Sequence, residues 1–280
     1  MFLFCSHMGR AMQTPDRQQR LAALRDVIAD IERKPALAEM RDSLDSQEES
    51  DAFPTLPAGL VQEIYADESR DGGLGLGFAL AQAKSLLTER RPSVFYIQMA
   101  SDAQTFGMPY GPGLSWFGVD PGAMVIVRTA DMTEFLWAAE EVVSCRAVAA
   151  VVADVRGTPK LLNFTASRRL SLRASANEVS LFLLRYGLGA ESSASHLRWR
   201  ILPHRSGRHP YDNRAPGAPR WRLKLERGRI AGQRNAWFLE WTDNGLAVFN
   251  SPSAGNHVRT PASLPGLVPA LLGDGFSQAG

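Results

Sequence analysis

Short apolar runs alternating with helical patterns constrain this chain more than any other feature. Ala147–Asp154 (AVAAVVAD) is apolar up to its terminal acid, and Ser93–Met99 (SVFYIQM) is a continuous run of the same kind. Such runs, with turn signals at their ends, form strands buried on both faces, as in a parallel sheet. Leu60–Tyr65, Ala123–Arg128 and Val179–Leu184 read as three more strands. Leu74–Leu87 and Met132–Cys145 have helical spacing, the latter with Phe135, Leu136, Ala139, Val142 and Val143 on its inner face. Residues 164–175 form a helix that turns Arg168, Arg169 and Arg173 outward. Strands and helices in alternation predict an α/β fold whose sheet is wrapped on both faces. The Gly/Pro-rich segment 107–122 reads as a loop.

After residue 195 the pattern changes. SHLRWRIL, PRWRLKLE and NAWFLEWT alternate with period two and have no helix between them, which predicts an antiparallel extension of the sheet. Trp199, Trp221, Trp237 and Trp241 lie on these strands, and the segment 203–219 between two of them is rich in Pro, Gly and Arg. Ahead of the core, residues 1–14 read as a disordered segment, with extra sequence ahead of the functional start as an open alternative. Leu21, Leu24, Ile28 and Ile31 then mark an amphipathic helix from Asp16 to near Pro35, with a weaker one over Ala36–Leu44. SQEESDAFP is an acidic linker. The expected organisation is a helical segment and linker at 1–53, an α/β domain at 54–249, and a tail at 250–280.

The 280 residues are 45% hydrophobic, enough for a full core, with a formal net charge of +2. Residues 1–150 carry 13 Lys+Arg against 21 Asp+Glu, and residues 151–280 carry 18 against 8. This split predicts an acidic and a basic side. Cys5 and Cys145 lack metal-ligand spacing and fit a reducing compartment. There is no convincing signal peptide and no apolar run as long as a membrane span, so the expectation is a soluble cytoplasmic protein with no membrane partner.

The candidate site is the stretch Glu63–Gln82, EIYADESRDGGLGLGFALAQ, with the strand–loop–helix layout of a phosphate-binding unit. A working phosphate loop reads G-x-x-x-x-G-K-[ST], where amides cradle phosphate, Lys neutralises charge and the hydroxyl holds Mg²⁺. Here the loop carries Asp67, Glu68 and Asp71, and no Lys precedes Lys84. Three carboxylates are expected to repel a triphosphate. Gly73, Gly75 and Gly77 begin a dinucleotide pattern, but Phe78 occupies the third small position and the next strand ends in Gln98 rather than an acid. His196, His204 and His209 lie in or beside the Arg/Pro segment and build no metal or catalytic site, and no G-x-S-x-G is present.

Several ordered stretches carry a family resemblance. These are EIY with the following Glu68–Ser69, VDPGAMVIVR (119–128), FLWAAEEVVSCRAVAAVVADV (135–155), LNFTASRRLSL (162–172), SSASHLRWRI (192–201) and the pairing PRWRL…WFLEW (219–241). Over residues 55–245 the chain resembles the RecA superfamily, and most closely its ImuA branch, the RecA-like partner of bacterial inducible-mutagenesis operons. The resemblance implies a RecA-like three-layer α/β core with a mostly parallel sheet, extended by C-terminal antiparallel strands and preceded by the amphipathic helix. It also implies a degenerate phosphate loop. Where the superfamily has Gly, Gly, Lys and Thr, this chain has Ala66, Asp71, Gly72 and Gly73. The catalytic Glu position falls at about Ala100 and the switch Gln at about Arg185, while Asp154 keeps the Walker-B-like acid. An alternative for Asp154 is a helix cap or salt-bridge partner. The expectation is a pseudo-ATPase with no catalytic residue, cofactor or metal.

Arg198, Arg200, Arg220, Arg222, Lys224, Arg227 and Arg229 alternate with apolar residues, which sends the cations to one face. That face is a candidate surface for DNA or an acidic protein, with Trp199 or Trp221 either stacking on a base or sitting in the core. By resemblance, Arg227 and Arg229 fall where a RecA subunit reaches across to its neighbour; two solvated arginines on a hairpin is the alternative. The function implied is an accessory role in SOS-induced translesion synthesis. The implied partners are an ImuB-like relative of Y-family polymerases, an error-prone replicative-type DNA polymerase and RecA. The alternatives are a single-stranded DNA-binding module and a SulA-like cell-division inhibitor.

Overall fold

The computed structural model describes residues 53–189, 191–212, 214–230 and 235–249. The helices expected at 16–35 and 36–44 and the tail expected at 250–280 lie outside the described residues. Strands β1 (Val61–Ala66), β2 (Ser93–Met99), β3 (Met124–Thr129), β4 (Val148–Asp154) and β5 (Ser180–Tyr186) lie within two residues of the sequence expectation at each end. They are followed by β6 (Leu197–His204), β7 (Arg220–Arg227), β8 (Ala236–Thr242) and β9 (Gly245–Val248). These strands form one sheet in the order β3-β2-β4-β5-β1-β6-β7-β8-β9.

Residues of β4 and β5 are buried along their whole length, as their apolar runs require of strands covered on both faces. Helix α1 (Gly72–Leu86) covers one face. There Phe78, Ala79 and Leu80 pack with Ile64, Phe182, Leu184 and the four tryptophans of β6–β8. The other face carries α4 (Met132–Val143) and α5 (Phe164–Asn177), which bury Phe135, Ala139, Leu170 and Ala174 against Ile97, Val151, Leu181 and Leu183. Asp131 caps α4 by accepting from the Glu134 amide, and Asn163 caps α5 by accepting from the Ala166 amide.

Two expectations are corrected. Residues 107–122 are not one loop: α2 (Ala100–Phe106) ends at Gly107 with φ 83°, and α3 (Gly111–Trp116) follows with Pro112 in its first turn. Proline suits that position because its missing amide would be unpaired there anyway. The extension is also not antiparallel from its start. β6 lies parallel to β1, from Gln62↔Leu197 to Ala66↔Ile201, and antiparallel pairing begins with β7. Residues 187–196 carry the chain back along the sheet without a described helix, and the Val61 amide donates to His196 Nδ1 at 2.9 Å where the return ends. His196 is therefore a fastener of β1, not a member of the Arg/Pro segment.

Trp199 and Trp221 are 0% and 1% exposed, which removes them as bases' stacking platforms. The Trp199 indole donates to Gln62 Oε1 at 2.8 Å, and its ring packs against Phe53, Phe78 and Trp237.

Candidate functional site

The loop after β1, the ends of β2 and β4, α2 and the loop after it line a cleft of about 250 Å³. Gly72 and Gly73, Gln98, Asp102, Tyr110, Asp154 and Arg156 line it. The loop after β1 and Asp154 are thus brought together. Ala66 ends β1 and is buried; Asp71 closes a 3-10 turn over Ser69–Asp71 and precedes α1 without capping it.

Asp154 is the centre of the cleft. Tyr96 donates its hydroxyl to Oδ2 at 2.8 Å, and Tyr186 donates to Oδ1 at 2.9 Å. Arg156 ion-pairs with Oδ2 at 3.1 Å and donates to the Ser69 carbonyl at 2.5 Å. Its guanidinium lies between the rings of Tyr186, 3.8 Å away, and Phe106, 4.2 Å away. Both tyrosines are held protonated by burial first and by the Asp154 charge second, which raises their pKa values well above the usual phenol range. They therefore remain donors at any ordinary pH. Asp102 is also raised, first by burial and then by the Asp154 charge, against the lowering effect of Arg156.

Tyr96, Tyr186 and Arg156 together surround the Asp154 carboxylate. Both Asp154 oxygens already accept strong hydrogen bonds. A Cβ placed on Gly72 would lie 2.8 Å from Arg156 Nη2, so the guanidinium sits directly on the start of α1. A cation reaching Asp154 would have to displace a guanidinium that is itself largely buried. Asp154 is a salt-bridge partner here, the alternative to a metal ligand.

Asp67 ion-pairs with Arg200 at 3.1 Å and Glu68 with Arg70 at 2.7 Å, so two of the three loop acids are already neutralised. Ala100 opens α2, and Arg185 is buried and ion-paired with Glu191 at 2.8 Å. What sequence reading missed is the set Tyr96, Tyr186 and Arg156. Only Arg156 carried a signal, being two residues beyond Asp154; the tyrosines come from neighbouring strands.

The seven cations of the late strands have different settings. Arg198 ion-pairs with Glu63 at 2.8 Å, and Glu63 also accepts from Ser193 and Ser195. Arg200 bridges Asp67 and Glu226, Arg220 pairs with Glu240 at 3.0 Å, and Arg227 donates to the Ser193 carbonyl. Among the described residues, the side chains of Arg222, Lys224 and Arg229 have no hydrogen-bonding or ion-pair partner, and all three are exposed. Alternation puts Arg198, Arg200, Arg220, Arg222 and Lys224 at outward positions of their strands, whereas Arg227 breaks the parity and Arg229 lies beyond β7; it could not reveal that Glu63, Asp67 and Glu240 share their surroundings. Two of these pairs, Arg198 with Glu63 and Arg200 with Asp67, join the acidic and basic halves of the chain, so the charge split is not two separate sides.

No protein-family model matches the chain. Protein ImuA from each of two strains of Caulobacter vibrioides is 31% identical over 202 residues, covering 68% of this chain and 78% of the relative. The chain belongs to the ImuA family. In this ImuA-family chain, among the described residues, no helix is long and apolar enough to cross a membrane.

Proposed function

We propose that this ImuA-family chain is a non-catalytic accessory protein of damage-induced, error-prone translesion synthesis. In this reading it is a RecA-like pseudo-ATPase that works as an adaptor in the ImuA/ImuB mutagenesis cassette. It recruits an ImuB-like relative of Y-family polymerases, an error-prone replicative-type polymerase and RecA.

The observation that supports the reading is the enclosure of Asp154 by Tyr96, Tyr186 and Arg156. Phosphoryl transfer depends on positioned cations and metal around the transferred group. Here the acid that would hold the metal is engaged by the chain's own guanidinium, and the loop has no lysine where the phosphates would lie. A fold with this cleft transmits no hydrolysis cycle to its partners, so its contribution is its surfaces.

The test is co-elution of the full chain with an ImuB-type protein and with RecA, with and without ATP, using a non-hydrolysable analogue as a third condition. Because RecA itself binds ATP, the ImuB-type complex is the deciding one. The expected outcome is a complex of unchanged stoichiometry in all three conditions. A complex with the ImuB-type protein that forms only with ATP would contradict the adaptor reading.

A further inference from the structure

We propose that the outward face of β6–β9 is a binding site for single-stranded nucleic acid, read by aromatic stacking and two unpaired cations. The strand register aligns the residues of this face in rows. Leu202 lies across from Arg222, and Arg222 across from Phe238. The Phe249 amide donates to the Phe238 carbonyl at 2.9 Å, which brings Phe249 to the end of that row. In the next row His204 faces Arg220, which faces Glu240; on the other side Arg200 faces Lys224.

The rings form one cluster. His204 lies 5.4 Å from both Phe238 and Phe249, and the two phenylalanines are 5.8 Å apart. The Arg220 guanidinium sits 4.5 Å over Phe249 while remaining paired with Glu240. These rings are partly exposed, unlike the four tryptophans on the opposite face of the same strands. Beside them, two residues apart on β7, stand Arg222 and Lys224, exposed and without a side-chain partner among the described residues.

An open antiparallel sheet with aromatic rings on its surface and cations spaced along one strand suits an extended strand of unpaired bases. Base faces stack on the rings whatever their sequence, and the cations follow the phosphates. A duplex hides its base faces and could not use the rings. An acidic protein would use the cations and leave the rings idle. The carboxylates on this face, Glu240 and Glu226, are already paired with Arg220 and Arg200, so Arg222 and Lys224 leave the face net positive. The site is remote in sequence from the Asp154 cleft and stands independently of the adaptor reading.

The test is fluorescence anisotropy of a labelled oligothymidylate with the full chain across a salt series. Saturable binding that weakens with salt is expected. The pair R222E/K224E should weaken it at least tenfold and reduce the log–log salt slope by about 1.4. F238A/F249A should weaken it by about tenfold with the salt slope unchanged. R222Q/K224Q supplies a gentler variant with the same direction of effect, and R168E on α5, an exposed arginine, should leave binding intact. No binding at low salt, or variants that bind like the parent, would overturn the proposal. So would R222E/K224E leaving oligothymidylate binding intact while breaking a complex with an acidic protein.

Discussion

Glu63 is a carboxylate at 1% exposure whose Oε2 receives Arg198, Ser193 and Ser195, and this single cluster fixes what Arg198 can be for. Removing one member of such a pair leaves a buried charge without compensation, which costs about 3–5 kcal/mol. Arg198→Ala should therefore lower stability by about that amount in urea denaturation. The double variant Glu63→Gln, Arg198→Met should recover most of it, since neither charge is then stranded. An Arg198 that served only as a binding residue would leave the denaturation midpoint unmoved. The same reasoning separates Arg222 and Lys224 from the rest of their strand. With no ion-pair partner among the described residues, their charges cost little to remove and are available to a ligand.

At the scale of elements, the segment before β1 is tied into the core by Phe53, which packs on Phe78, Trp199 and Trp237 with ring centroids 5.8, 6.0 and 5.9 Å away. Phe53→Ala should cost about 3 kcal/mol in thermal or denaturant unfolding, the usual loss for a phenylalanine deleted from a core. A loss below about 1 kcal/mol would mean that the segment does not hold its place in solution. The strands themselves were legible because β2 and β4 are apolar runs that only a doubly covered sheet can bury. The direction of β6 was not, since a period-two pattern is the same whichever way a strand runs. Helix α3 was hidden by its own glycines and proline, because a first-turn proline reads as a breaker until the helix start is known. β9 follows the two-residue turn Asp243–Asn244 before Gly245, whose φ of 114° gives glycine its place, and it was passed over.

For the molecule as a whole, Asp154 and the loop residues Gly72 and Gly73 line one cleft. Their partners were not legible, because Tyr96 and Tyr186 arrive from strands on either side of β4 and no spacing in the chain relates them. In the function proposed above, Arg156, Tyr96 and Tyr186 engage the carboxylate that a bound nucleotide's metal would need. Calorimetric titration of the full chain with Mg²⁺ and ATP, run beside a phosphate-release assay, tests this most directly. The account predicts no saturable heat and no release above the buffer rate. Saturable binding with turnover that disappears in Asp154→Ala would contradict it.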